Sequence, residues 1–278
     1  MTDPIRYSTW KIHHLPALDA FAGKKIMLTY SGGKDSSAGL YLLHRASREF
    51  NFEIQPHAIK FPHHVFPETE LQKLEGYWQQ QGVRIHWHDP VTSDKELEPG
   101  IENDLNPCHV CNRAKKHILI EKGRAIFGKP HSVVLMMSYS LWDLVSATLE
   151  HILSNHYAET PETADENRKK PANRFLETSQ RFYPLIRLKN GLQIFKPLIR
   201  YNDPQILELI ERAGIPLSTI PCRYREFRPK RIFCRYYEKA ELEFDFDQVF
   251  AFAADVLKIP ALSYYESLDM NTYLDKLA

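Results

Sequence analysis

The sequence predicts an α/β protein with a parallel β-sheet covered by helices on both faces. Short apolar runs alternate with helical segments along most of the chain, which is the order that parallel strands joined by crossover helices produce. A glycine-rich turn also stands between the first apolar run and the first helix. The length of 278 residues, 43% of them hydrophobic, is enough for one large core or for one domain with appendages.

The elements follow in chain order from apolar runs, helical periodicity and turn residues. Residues 1–22 show no clear pattern and are expected to form an irregular leader. The predicted strands cover residues 24–30, 52–60, 83–89 and 132–139. The predicted helices cover residues 38–50, 68–81 and 106–127, the segment from the fourth strand to His156, and residues 203–213. Asn106 as N-cap and Pro107 at the first helical position favour the third of these helices.

Three later segments have distinct signatures. Asn190-Gly191 separates apolar runs at 182–188 and 192–198, which predicts a β-hairpin. Residues 158–181 are polar and charged and contain two prolines, so we expect a mobile insertion there. From Asp245 onwards the pattern predicts a mostly helical tail.

Composition narrows the class of protein. No run of about 18 apolar residues occurs, so no membrane span is predicted. The first 22 residues lack the charged start and apolar run of a secretory signal, and we expect a cytoplasmic protein. Cysteines in such a protein are expected to be metal ligands or catalytic thiols. The formal net charge of +1 neither favours nor excludes a nucleic-acid partner.

The glycine-rich turn has the sequence SGGKDSS, residues 31–37. Glycines allow positive φ and a close approach of the main chain, and the N–H groups at a helix start form an anion site. Ser31, Ser36 and Ser37 add hydroxyl donors, and Lys34 adds charge. The spacing differs from the Walker pattern, in which the lysine follows four free positions and a second glycine. The turn therefore predicts a phosphate site of another kind.

This turn resembles the PP-loop of the N-type ATP pyrophosphatases. The resemblance covers Ser31, Gly32, Gly33, Lys34, Asp35 and Ser36. It implies an adenine nucleotide α-hydrolase-like (Rossmann-like, HUP-type) domain that binds ATP with Mg²⁺ and cleaves it between the α and β phosphates. On this basis Lys34, Asp35 and Asp143 are the expected catalytic residues, and residues 31–37 the expected ATP-binding loop.

The cysteines form a CxxC pair, Cys108 and Cys111, and two later single residues, Cys222 and Cys234. The i, i+3 spacing places both thiols of the pair on one face of the predicted helix, whose N-terminus favours thiolates. Three cysteines suit an iron–sulfur cluster with one open iron position, and four would suit zinc. A thioredoxin-like redox pair or unrelated thiols are further alternatives.

A second resemblance bears on these alternatives. A CxxC helix after the third strand, and a Pro-Cys after PLIR…GIP, resemble the 2-thiocytidine tRNA sulfurtransferase branch of the PP-loop family, over about residues 24–225. The resemblance implies a [4Fe-4S] cluster on Cys108, Cys111 and Cys222. The chain departs from that branch after the fourth strand, where the family usually has Gly-His and a pair of aspartates. Here residues 137–143 have the sequence MSYSLWD, and only Asp143 matches, as the second aspartate.

A basic and aromatic segment follows Cys222. Between residues 222 and 239 seven Lys or Arg stand against two Glu, with five aromatic side chains among them. Cations for phosphates and aromatic faces for bases are what an RNA-binding surface needs, although a solvated helix face would have the same composition. The predicted RNA-binding residues are Arg223, Arg225, Arg228, Lys230, Arg231 and Arg235.

Taken together, the sequence predicts a leader at 1–23, a PP-loop domain at 24–220, and a basic, then helical, C-terminal extension at 221–278. The predicted function is ATP-dependent, cluster-assisted thiolation of a tRNA base. The expected partners are tRNA and a sulfur donor such as a cysteine desulfurase, and a homodimer is left open. The alternatives are a PP-loop ligase or amidotransferase without a cluster, and a nucleotide-binding protein without catalysis.

Overall fold

The computed structural model describes residues 4–60, 66–89, 108, 111, 133–156 and 171–277. The strands are β1 Lys25–Thr29, β2 Glu53–Ile59, β3 His86–His88, β4 Val133–Met136, β5 Leu185–Arg187 and β6 Gln193–Phe195. The helices are α1 Tyr7–Asp19, α2 Lys34–Phe50, α3 Glu68–Gln80, α4 Leu141–His156, α5 Pro171–Ser179, α6 Asp203–Arg212, α7 Pro229–Lys239, α8 Phe246–Asp255, α9 Leu262–Glu266 and α10 Met270–Leu277. Short 3₁₀ turns cover Gln180–Phe182 and Arg225–Phe227.

The described strands form one sheet in the order β3-β2-β1-β4-β6-β5. Neighbouring strands are parallel except at the edge, where β5 runs antiparallel to β6. The predicted hairpin is confirmed, and Gly191 at its turn has a φ of +87°. Central strand β1 therefore delivers the glycine-rich turn to the carboxyl edge of the parallel strands, which is where ligands bind in such sheets.

Side chains alternate across the sheet and supply two cores. Ile26 and Leu28 of β1 pack on one side with α1, α2 and α6. Met27 points to the other side and shares a hydrophobic cluster with Tyr265 and Tyr273 near the end of the chain. The helical tail is thus built into the second core, and the predicted helical C-terminal extension is present.

The prediction of an irregular leader is wrong. Residues 7–19 form helix α1, whose Trp10 is fully buried and donates its indole N–H to the carbonyl of Pro197 at 2.9 Å. The sequence concealed this helix because Ile12 and Leu15 are exposed and Pro16 lies inside it, so its apolar residues do not follow one stripe.

The prediction of a mobile insertion at 158–181 is wrong for residues 171–181. Residues 171–179 form α5, and Ser179 and Gln180 after it are buried. The hydroxyl of Ser179 lies 2.6 Å from that of Tyr265, and Tyr273 donates to the side chain of Gln180 at 3.1 Å. Partners from the C-terminal tail thus order this polar stretch, and residues 157–170 lie outside the described residues.

The other elements agree with prediction except at their ends. Helix α2 begins at Lys34, earlier than position 38, and β3 has only three residues. Most of the predicted helix at 106–127 lies outside the described residues, but Cys108 and Cys111 are both helical. Among the residues that the structure covers, no helix is long and apolar enough to cross a membrane.

Candidate nucleotide and thiol site

The predicted phosphate loop connects β1 to α2. The hydroxyl of Ser36 closes the loop, because it accepts from the main-chain N–H of Ser31 at 3.2 Å and donates to the carbonyl of Gly33 at 3.1 Å. Gly33 is the N-cap of α2, so the first N–H groups of this helix face the loop. The arrangement is a helix N-terminus shaped for an anion.

Gly32 is the tightest position of the loop. Its φ is +68°, and a Cβ added there would lie 3.0 Å from Leu74 and 3.1 Å from the Cβ of Ser218. Glycine is therefore needed twice, for the backbone conformation and for the contact with residues from α3 and from the segment after α6.

We expect Gly32→Ala to weaken nucleotide binding by about tenfold or more, because Leu74 or Ser218 must shift and deform the loop. The matched control is Gly82→Ala, since Gly82 has a φ of +79° but nothing within 4 Å of an added Cβ. Both changes should lower the free energy of unfolding by about 1–2 kcal/mol through backbone strain, with a further loss only at Gly32. Urea denaturation and nucleotide titration measure the two effects. Equal behaviour of the two variants would contradict the close contact.

Five charged side chains gather beside the loop. The ammonium of Lys34 lies 2.5 Å from a carboxylate oxygen of Asp35 and 2.8 Å from one of Asp203. Lys230 of α7 forms an ion pair with Asp143 of α4. Three carboxylates and two ammonium groups leave this cluster with a formal charge of −1. We call these five residues the ionic cluster.

The first turn of α4 fixes Asp143. Its N–H donates to the hydroxyl of Ser140 at 3.1 Å, and the Ser140 N–H donates to its carboxylate at 3.3 Å. Burial alone would raise the pKa of Asp143, but the charges of Lys230 and Lys34 outweigh it and hold the pKa below its usual value. Asp143 is therefore an ionised carboxylate at neutral pH.

Asp35 and Lys34 respond to burial differently. Burial raises the pKa of Asp35, and the charge of Lys34 offsets only part of this. Burial would lower the pKa of Lys34, but Asp35 and Asp203 together raise it above its usual value. Lys34 consequently keeps its positive charge, which a phosphate site requires.

The carboxylates fit a magnesium ion that is shared with a nucleotide. One oxygen of Asp203 is buried and has no hydrogen-bond partner among the residues that the structure describes, so the cluster has unused acceptor capacity. Within the described part of the chain, no three His, Cys, Asp or Glu side chains converge as a complete metal site. Mg²⁺ commonly takes only one or two carboxylates and completes its shell with phosphates and water.

The three cysteines of the predicted cluster share one neighbourhood. Cys108 lies near enough to Cys111 and Cys222 to sense their charge, and its thiol donates to the carbonyl of Tyr224 at 3.6 Å. Burial raises the pKa of the Cys108 thiol, and the guanidinium of Arg228 opposes that rise. The donor set fits an iron–sulfur cluster in type and number, although the thiols described do not converge at ligand distances.

Cys234 lies apart from these three thiols. It is half-buried on α7, one turn after Lys230. Burial, together with the charge of Asp203, raises its pKa to about 11, so this thiol is neutral at pH 7.

Most cations of the basic segment lie on the surface, and one of them contacts the ionic cluster. Arg223, Arg225, Arg228 and Arg235 are exposed, as an RNA-binding surface needs, and Arg225 and Arg231 both bond to Glu226. Lys230, also predicted to bind RNA, is half-buried and pairs its ammonium with Asp143 in the ionic cluster. Tyr224 and Tyr237 are buried, whereas Tyr236 is 63% exposed.

Sequence reasoning missed two features of the site, the ion pair of Asp203 with Lys34 and that of Lys230 with Asp143. Asp203 follows the helix cap Asn202 and reads as an ordinary first-turn acid. Its position directly after the stretch PLIRYN, which resembles the PP-loop family, is the only sequence signal. Lys230 had none, since its partner Asp143 lies 87 residues earlier.

Comparison with known proteins extends this picture. No family model matches the sequence, and no curated protein matches it. The U34-tRNA thiolase NcsA from Methanococcus maripaludis with its [4Fe-4S] cluster aligns with 100% of this chain and 94% of its own, with a TM-score of 0.61 and 12% identity. NMN synthetase from Francisella tularensis aligns with 96% of this chain and 99% of its own, with a TM-score of 0.49 and 8% identity.

The likeness to the thiolase establishes the fold. This chain has the same mostly parallel α/β fold as that protein. The predicted fold class is thereby confirmed.

Proposed function

We propose that the chain is an ATP-dependent sulfurtransferase that thiolates a base of tRNA with the help of an iron–sulfur cluster. The observation that carries the proposal is the proximity of two sites along one segment. Ser218 contacts the phosphate loop, and Cys222, four residues later, belongs to the group of three cysteines. The solved thiolase, which carries a [4Fe-4S] cluster on the same fold, supports this assignment.

The phosphate loop and the ionic cluster account for activation of the base. Loop N–H groups and Lys34 bind the β and γ phosphates of ATP, while Asp35 and Asp143 hold Mg²⁺ against them. A carbonyl oxygen of the base attacks the α-phosphorus, and the bond to pyrophosphate breaks. Lys34 and the loop stabilise the charge on the departing pyrophosphate. The product is a base whose oxygen carries AMP.

Sulfur then replaces the activated oxygen. Sulfide, supplied by a donor such as a cysteine desulfurase, attacks the carbon, a C–S bond forms, and the C–O bond breaks as AMP leaves. Cys108, Cys111 and Cys222 would hold a cluster, which would supply an iron position without a protein ligand for the sulfide. Arg223, Arg225, Arg228, Arg231 and Arg235 bind phosphates of the tRNA beside the site.

A cluster-free adenylating ligase is the second candidate. The fact that favours it is that the three thiols described do not converge at ligand distances. A binder without catalysis is the remaining alternative, and turnover of ATP to AMP in the presence of tRNA excludes it.

Iron and acid-labile sulfide per chain, with an absorption spectrum, test the proposal on protein purified without oxygen. About four irons, together with AMP release that depends on tRNA, support cluster-assisted thiolation. AMP release without iron supports the ligase. The absence of both iron and AMP release would refute both enzyme candidates.

A further inference from the structure

The segment Leu217–Thr219 packs beside the phosphate loop through Ser218. The N–H of Ser218 donates to the carbonyl of Gly32 at 2.8 Å, and the two residues touch closely enough to exclude a Cβ from Gly32. The hydroxyl oxygen of Ser218 is buried, and no described residue forms a hydrogen bond with it. A shift of Gly32 must therefore move Ser218 with it.

Glu70 anchors this segment to α3. One of its oxygens accepts from the N–H of Thr219 at 2.7 Å, from the Thr219 hydroxyl at 3.2 Å and from the ammonium of Lys73 at 2.8 Å. Lys73 also donates to the carbonyl of Leu217 at 3.0 Å. These donors hold the pKa of Glu70 below its usual value, Lys73 contributing most. An ionised carboxylate with several donors is a strong local anchor.

The same segment continues to the cysteines. Cys222 comes three residues after Thr219, a span of at most about 11 Å. The carbonyl of Cys222 accepts from the N–H of Arg225 at 3.1 Å, and this turn places the carbonyl of Tyr224 beside the Cys108 thiol. The main chain from Ser218 to Tyr224 thus connects the loop to the thiols through a hydrogen bond at each end, and Glu70 fixes Thr219 between them.

We propose that Glu70 is a positioning residue that couples the phosphate loop to the cysteine centre through residues 217–222. This inference rests on the proposed function, because it takes the loop as the nucleotide site. A nucleotide that moves Gly32 displaces Ser218. Because Glu70 holds Thr219 firmly, residues 217–222 move together and the displacement reaches Cys222. Coupling between two sites is reciprocal, so the state of the thiols also alters nucleotide affinity.

Alkylation of Cys222 by iodoacetamide, followed by peptide mass spectrometry, tests the coupling on the full chain after a chelator has removed any iron, so that the Cys222 thiol can react. The probe is α,β-methylene-ATP with Mg²⁺, added at saturation as judged by calorimetry. We expect it to change the Cys222 rate at least about fivefold in the wild type, and less than about twofold in Glu70→Gln. That variant keeps the shape but loses the charge. Glu68→Gln is the matched control, because Glu68 is exposed on the same helix and bonds only to Gln72 among the contacts described.

The possible outcomes separate the two proposals. If the analogue binds the wild type but Cys222 does not respond, or responds equally in Glu70→Gln, the coupling is wrong and the proposed function stands. Failure of the analogue to bind the wild type would overturn both. If circular dichroism shows that Glu70→Gln is unfolded, the same alkylation test is made on Lys73→Met. The side chain of Lys73 is partly exposed, and its replacement removes the hydrogen bond to Leu217. A full wild-type response in Lys73→Met would then contradict the coupling.

Discussion

Replacing Cys222 by Ala is expected to reduce iron and acid-labile sulfide from about four per chain to almost none. The cluster has only three expected protein ligands, so the loss of one leaves two iron corners unprotected and the assembly unstable. Thiolation of tRNA should disappear with the iron. The affinity for α,β-methylene-ATP should change far less, because the phosphate loop keeps its own hydrogen bonds.

Cys234→Ala is the matched control for this experiment. Cys234 is also a half-buried cysteine of the C-terminal part, but it lies on α7 and is absent from the neighbours that shift the pKa of Cys108. We expect this variant to keep its iron. Equal loss of iron in both variants would show that the ligand set is wrong, and full retention in Cys222→Ala would reject the cluster as assigned.

Replacing Lys34 by Met is expected to lower the rate of AMP formation by about 100- to 1000-fold. Lys34 is the cationic residue of the loop. Its two carboxylate partners, Asp35 and Asp203, hold its ammonium beside the expected phosphate position. Methionine keeps the length of the side chain but removes the ammonium that stabilises departing pyrophosphate. Its removal also leaves Asp35 and Asp203 facing each other, so binding of Mg²⁺ should be altered as well.

The comparison variant is Lys25→Met, which removes a lysine of β1 whose side chain is 44% exposed. It should leave AMP formation within about twofold of wild type, since an exposed ion pair contributes little. Single-turnover release of labelled AMP measures both variants. A Lys34→Met enzyme that retains more than a tenth of the wild-type rate would show that the ammonium does not serve the chemical step.

Local patterns were readable in the sequence, and long-range ones were not. The turn SGGKDSS, the Asn190-Gly191 hairpin and the capped helix α6 each depend on neighbours within a few residues, so their signals survive in the linear chain. Helix α1 was missed because what buries it lies far away, as the bond from Trp10 to Pro197 illustrates. A helix that is buried by distant parts of the chain needs no regular apolar stripe.

The candidate site follows the same rule. The loop and the Cys108-Cys111 pair carry short motifs, whereas Asp203 and Lys230 acquire their roles only from the packing of α6 and α7 on the loop. The composition of the basic segment does not show which of its cations pairs with an acid of the site. The ion pair of Lys230 depends on Asp143, which lies 87 positions earlier in the sequence.

The ionic cluster has a consequence for how the pocket behaves before any ligand arrives. Its two ammonium groups are already paired with carboxylates, so an incoming triphosphate competes with internal partners for Lys34. Affinity is then the difference between two sets of ion pairs, and a small anion such as inorganic phosphate gains little from the exchange. A nucleotide that brings its own divalent cation satisfies the released carboxylates as well as the lysines. Most charges of the cluster are thus paired internally, and we expect the site to favour ligands that carry both signs of charge.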